Sequence, residues 1–189
     1  MNVAHADYRL GPRPHIFSSA DGNLSLKVTP VYEGENRGKV KVTPFRLERD
    51  GSEMAWGEFL LDDAPQEILI PNSLPKYFVA LDSERTVGSK NAIVIYDNGH
   101  VVRALELDDF LLDQEIQEHV KLTVSSQRWR EGATFNFEIP VTEVAQGNGV
   151  FVEQHPGKTM LNIVFPWGKK VSIELATGKV INPLVPPVK

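Results

Sequence analysis

Four times along this chain a glycine-centred turn signal stands between short runs in which apolar and polar side chains alternate. Asp21-Gly22 precedes Leu24, Leu26 and Val28, which alternate with Ser25 and Lys27. Asp50-Gly51 separates Phe45 and Leu47 from Met54-Ala55-Trp56. Asp97-Asn98-Gly99 joins Ile93-Val94-Ile95-Tyr96 to Val101-Val102, and Thr177-Gly178 joins Val171–Leu175 to Val180-Ile181. Tight hairpins need positive φ in their turns, which glycine adopts freely and Asn or Asp tolerate. Period-two alternation places one side of a strand on a core and the other in water. Together these signals predict a mainly β chain of antiparallel hairpins.

The turn spacing narrows the architecture. Gly51 to Gly99 is 48 residues and Gly99 to Gly178 is 79. The excess falls where the texture changes, across residues 106–131. There Leu107-Asp108-Asp109-Phe110-Leu111-Leu112 reads as a short helix capped by Asp108, with Ile116 and Val120 extending it towards residue 120. Without that insertion the period is near 48, the length of one four-stranded propeller blade. Three units, near 16–62, 66–106 and 135–182, are too few for a closed propeller. The expectation is therefore blade-like sheets resembling a partial propeller, with a β-sandwich as the alternative. Residues 1–15, with Pro12 and Pro14, read as an extended lead-in. Residues 16–182 read as a single domain, and 183–189 belong to a Pro-rich tail beginning at Asn182.

Composition limits the function classes. The formal charge is −5, from 20 basic and 25 acidic residues, without the basic stripe that phosphate neutralisation demands, so no nucleic-acid partner is expected. With no cysteine, disulfides, thiolate nucleophiles and cysteine-ligated metals are impossible. No run approaches the roughly 20 apolar residues of a spanning helix. Ala4-His5-Ala6 has the small-x-small form of a signal-peptidase site but no apolar run ahead of it. It reads either as the remnant of a trimmed leader or as chance. The corresponding expectation is a periplasmic or secreted protein, with a cytoplasmic one as the alternative.

The stretch Val79-Ala80-Leu81-Asp82, Val87-Gly88, Ala92–Asp97, Gly99, Val101-Val102-Arg103 and Leu107–Leu111 resembles a group of uncharacterised, exported bacterial proteins with propeller-like hairpin repeats. In that group a short acidic-capped helix and a Ser-Arg-Trp segment follow the hairpin. Ser125-Ser126-Gln127-Arg128-Trp129 takes that place here, interrupted by Gln127. The group commonly carries an aromatic and a histidine after the strand-ending aspartate, where this chain has Ser83-Glu84-Arg85-Thr86. The resemblance implies architecture and export; it implies no activity.

Candidate sites are few. Pro156-Gly157-Lys158-Thr159 imitates the end of a phosphate-binding loop, but Val152 stands where the motif needs glycine, and Met160–Phe165 reads as a strand. His5, His15, His100, His119 and His155 lack the i, i+4 pairing of a metal site, so neither metal nor cofactor is expected. Asp62-Asp63 and Asp108-Asp109 are acidic pairs, yet sequence neighbours on a strand point apart. No Gly-x-Ser-x-Gly elbow occurs. The one segment with binding character is Arg128, Trp129 and Arg130: an aromatic between two guanidiniums could recognise a protein or carbohydrate, or could be one buried ring with two solvent-directed arginines. The sequence thus points to a non-catalytic binding or interaction module. Its rivals are a hydrolase with acids assembled from distant strands and a structural fragment completed by a partner chain.

Overall fold

In the computed structural model the alternating runs pair as antiparallel strands; the structure describes residues 13–47, 53–55, 57–62, 64–72, 76–83, 91–122, 127–138, 142–146, 149–153 and 158–181. The first sheet contains β1 (His15–Ser18), β2 (Ser25–Pro30) and β3 (Val40–Leu47) in that order. Two short strands, β4 (Glu53–Ala55) and β5 (Phe59–Leu61), share the outer edge of β3: β4 pairs with Phe45–Leu47 and β5 with Val40–Val42. The sheet therefore has four strand positions although five strands build it. The middle sheet runs β6 (Pro65–Leu69), β7 (Tyr77–Ser83), β8 (Ile93–Asp97) and β9 (His100–Leu105).

A helical insertion follows, made of a 3-10 turn at Leu107–Asp109 and the helix α1 (Asp113–His119), then the two-residue strands β10 (Lys121–Leu122) and β11 (Gln127–Arg128). The third sheet opens with β12 (Thr134–Glu138). A separate hairpin, β13 (Thr142–Gln146) and β14 (Gly149–Glu153), intervenes before β15 (Met160–Val164), β16 (Lys170–Glu174) and β17 (Lys179–Ile181) complete it. Its order is β12-β15-β16-β17.

The mainly β reading holds, and the three sheets span 15–61, 65–105 and 134–181, within a residue or two of the units expected from turn spacing. Two details differ. The β13–β14 hairpin interrupts the third unit, so the long interval between Gly99 and Gly178 contains two insertions rather than one. Asp108 caps no α-helix: it lies inside the 3-10 turn, and α1 begins five residues later, at Asp113. The capping chemistry belongs to the third residue of each helical turn instead. The Glu106 amide donates to Asp109 Oδ2 at 2.8 Å, and the Leu112 amide donates to Glu115 Oε2 at 2.8 Å.

Strand alternation divides the interior into two cores. Val79, Leu81, Ile93 and Ile95 of the middle sheet pack with Leu161, Ile163, Val171 and Ile173 of the third, and with Phe110, Leu111 and Trp129 from the insertion. Phe78, Ala80, Val94 and Tyr96 pack with Leu26, Val28, Val40 and Val42 of the first. The middle sheet is thus covered on both faces, which is why β8 reads as the unbroken apolar run Ile93–Tyr96. The outward faces of the flanking sheets are largely polar: Lys27, Thr29, Lys41 and Thr43 alternate with the core residues of the first, although Ile16 and Leu60 are exposed beside them. On the third, Ser172 donates to Asn162 Oδ1 at 2.6 Å and Asn162 to Glu138 at 3.3 Å.

Turns also join the sheets edge to edge. Asn98 and Gly99 both have positive φ, 48° and 81°, as a two-residue type I′ hairpin requires. A Cβ on Gly99 would lie 2.6 Å from Phe59 Cγ on β5 of the first sheet. A Cβ on Gly178 would lie 2.4 Å from Arg103 Cβ on β9 of the middle sheet. Each of these hairpins therefore seats its glycine on the outer edge of the preceding sheet, and the absence of a side chain is what allows the approach.

Candidate binding groove

The first strands of the three sheets, β1, β6 and β12, each end a sheet path, and together they line a groove of about 590 Å³. In an antiparallel pair, alternate residues turn their amide and carbonyl to the neighbouring strand and the others turn theirs away. Hydrogen bonds at the sheet ends fix the phase. The Ser19 amide donates to the Leu24 carbonyl, in register with His15↔Val28, so the odd residues of β1 face β2. Ile16 and Ser18 consequently present their main chain to the groove.

The same reasoning applies to the other two edges. The Asp82 amide donates to Ala92 and the Asn98 amide to Lys76, so even residues of β7 face β8 and odd ones face β6. Leu81 and Val79 pair with Glu67 and Leu69, leaving Gln66 and Ile68 of β6 directed outward. The Leu175 amide donates to Thr159 and the Phe165 amide to Lys169, so even residues of β15 face β12. These pair with Thr134, Asn136 and Glu138, leaving Phe135 and Phe137 outward. Among the described residues no strand pairs with any of these three edges.

Beneath one end of the groove sits a polar cluster. Asp82, whose side chain is 1% exposed, accepts from Trp129 Nε1 at 2.8 Å through Oδ1, and its Oδ2 lies 2.7 Å from Arg130 Nε. Asp82 has φ +48°, a left-handed conformation costly for most residues and milder for Asp. That turn, at the end of β7, accompanies the carboxylate's inward direction. The Arg130 guanidinium then reaches Glu67 and donates to Gln66 Oε1 at 3.0 Å. Glu67 lines the groove, and at 45% exposed its side chain is the most open of the three charged groups Glu67, Arg130 and Asp82.

Of the three residues singled out by sequence, the structure brings Trp129 and Arg130 together on Asp82; Arg128 lies in β11, and its side chain falls outside the described residues. Trp129 is 1% exposed and packs edge-on against Phe110 and Phe135. Arg130 is not simply directed to solvent: the buried Asp82 draws it inward, leaving its side chain 22% exposed. The sequence pattern pointed to Asp82 only as the strand-ending aspartate of the resemblance, and to neither Glu67 nor Gln66. The available signal was Asp82 itself, a carboxylate ending the apolar run Tyr77–Leu81.

The remaining candidates have ordinary partners. Asp62 is 93% exposed and pairs with Lys39 at 3.3 Å, while Asp109 pairs with Arg103 at 3.1 Å. Lys158 pairs with Glu174 at 3.4 Å, and Met160–Val164 is the expected strand. His15 and His100 are exposed, and His119 stacks on Trp167 with ring centroids 4.5 Å apart. His5, His155, Trp56, Asp63 and Pro156-Gly157 lie outside the described residues. Among the described residues no three His, Asp or Glu side chains converge as a metal site, and no helix is long and apolar enough to cross a membrane.

A second depression, about 740 Å³, lies on the first sheet beneath Tyr32. Its sheet portion is the cross-strand row Thr29, Lys41 and Leu60, where β3 is paired with strands on both sides. Lys41 is held by Glu58 at 3.1 Å. That surface offers side chains, whereas the groove also offers main chain. No family model, curated protein or solved structure matches the chain.

Proposed function

We propose that this protein is a non-catalytic binding module that takes an extended polypeptide segment into the groove between β1, β6 and β12. The observation that carries the reading is the convergence of three strand edges whose outward amides and carbonyls have, among the described residues, no strand beside them. Another extended backbone matches such a row, because its own donors and acceptors repeat at the same spacing. The repeating main-chain donors and acceptors favour a protein ligand over a carbohydrate, although Phe17, Phe135 and Phe137 also line the groove. The rival hydrolase would need a free acid, but Glu67 and Asp82 are both engaged by Arg130. The rival of a fragment completed by further sheets would need an extensive apolar outer face, and both outer faces are largely polar, with Ile16 and Leu60 exposed on the first.

The proposal keeps the propeller-like character, supported by glycine turns that seat successive sheets against one another in the same way. It also keeps export, supported by Ala4-His5-Ala6 and the resemblance to exported proteins. The binding test is selection of displayed random octapeptides on the immobilised protein, followed by amide hydrogen exchange of the selected complexes. Protection at Gln66 and Ile68, or at the outward amides of β1 or β12, is the expected result. A selection that yields no binder, or binders that protect only other amides, refutes it.

A further inference from the structure

We infer that the segment taken up by the groove carries a basic side chain directly opposite Glu67; the inference rests on the peptide-binding reading and adds its charge specificity. Among the described residues Glu67 is the only charged one lining the groove. Its carboxylate pairs with Arg130, the guanidinium that also holds the buried Asp82. The guanidinium is held from below by the buried Asp82 and also bonds Gln66, so an incoming cation can approach the more exposed carboxylate without displacing Arg130.

Register makes the position specific. Glu67 spends its main-chain bonds on Leu81 of β7, whereas its neighbours Gln66 and Ile68 turn theirs to the groove. A strand added along that edge bonds to Gln66 and Ile68 and sets one residue opposite Glu67 in a non-hydrogen-bonded pair, the closer of the two cross-strand arrangements. Side chains directly opposite share a sheet face with Cβ atoms about 4.5–5.5 Å apart, close enough for a Lys ammonium to meet the carboxylate. On the same face, Leu69 follows Glu67 at the next position but one, so an apolar residue suits the matching place on the ligand. The fitting ligand is an extended segment with Lys or Arg two positions from an aliphatic residue.

The test uses three fluorescein-labelled peptides, Thr-Val-Thr-Val-Lys-Val-Thr-Val and its Glu and Gln counterparts at the Lys position, titrated into the full chain by fluorescence anisotropy at low salt. The Lys peptide is expected to bind roughly fivefold or more tighter than the Glu peptide, the order set by attractive and repulsive cross-strand pairs. The gap should narrow as salt is raised. Glu67→Gln should close the gap between the Lys and Glu peptides, and a gap that persists in the variant overturns the inference. If Lys and Glu peptides bind equally and both protect the Gln66 and Ile68 amides, the charge inference fails and peptide binding stands. If no peptide binds, or protection falls elsewhere, both fail.

Discussion

Replacing Asp82 by Ala should be among the most damaging single changes in the chain, and its cost can be assembled from the contacts it removes. Trp129 Nε1 would keep its buried position and lose its acceptor, which costs about 1–3 kcal/mol. Arg130 would lose the partner at Nε but keep Glu67, Gln66 and some solvent, so its share lies below the 3–5 kcal/mol typical of a wholly buried broken pair. Ala at φ +48° adds about 1–2 kcal/mol, because its Cβ crowds the backbone in the left-handed region. The Trp129 and backbone contributions alone come to about 2–5 kcal/mol before the Arg130 share is added, a large part of the roughly 5–15 kcal/mol that holds a domain folded. Urea unfolding followed by tryptophan fluorescence measures it; with a slope near ~2 kcal/mol per molar, the midpoint falls by about 2 M. Asp82→Gly separates the two causes, since it removes the carboxylate but not the backbone freedom, and should recover about 1–2 kcal/mol relative to Ala. An Ala variant within ~1 kcal/mol of the parent would show that the cluster is not the anchor described here. Equal Gly and Ala variants would remove the strain component alone.

Gly99→Ala should destabilise by about 2–4 kcal/mol, combining positive-φ strain with overpacking against Phe59, whereas Gly22→Ala, with φ +71° and open space around it, should show only the strain. Thermal unfolding of the pair is the check, and equal losses would mean that the Phe59 approach is soft. Burial pushes the Tyr96 phenol up to about 12, with the Asp62 charge adding to the effect. The unfolded chain ionises this group near pH 10, so its contribution to stability is complete below that pH and is lost between about 10 and 12. It amounts to about 2–3 kcal/mol at the upper end. Tyr96→Phe should therefore flatten the alkaline part of the stability–pH curve and remove one late step from the absorbance titration at 295 nm; a late step that persists in the variant assigns it to another tyrosine.

The hairpins were legible because their determinants are local. Asn98-Gly99 selects its turn by φ alone, and β2 alternates because one of its faces is wet. The double burial of β8 was legible as an apolar run, although which neighbours cover it depends on sheets far away in sequence. The helical segment was legible, since both of its turns lie within 107–120, but its capping was not. Asp108 looks like a cap, but the acids that complete the local bonds are Asp109 and Glu115, each three residues beyond the amide it accepts. The candidate groove was almost invisible. Its main-chain character is a matter of strand phase, and Asp82 and Trp129 meet across 47 residues that no local pattern connects. Trp129 was visible as a residue of interest, but its flanking arginine gave no sign of the buried acid that turns it inward.

The placement of the free edges is the strongest physical reason to look for a partner in the groove. The outer edges of the first and middle sheets are met from within the chain, by the Gly99 turn on Phe59 and the Gly178 turn on Arg103. The faces are resolved as well: two are buried against each side of the middle sheet, and the two outermost carry lysines, threonines and hydrogen-bonded Asn and Ser. Among the described residues the inner edges are paired by no strand, although β1 and β6 approach one another and the Asp21 amide donates to Asn72 beyond their ends. Ile16, at 60% exposure, sits on β1 without the lysine or proline that commonly protects an open edge, and β6 places Glu67 where it can choose a partner rather than repel every one. Unmatched main chain from three strands, apolar side chains and a single carboxylate coincide in one groove, and an extended segment bearing one cation satisfies all three.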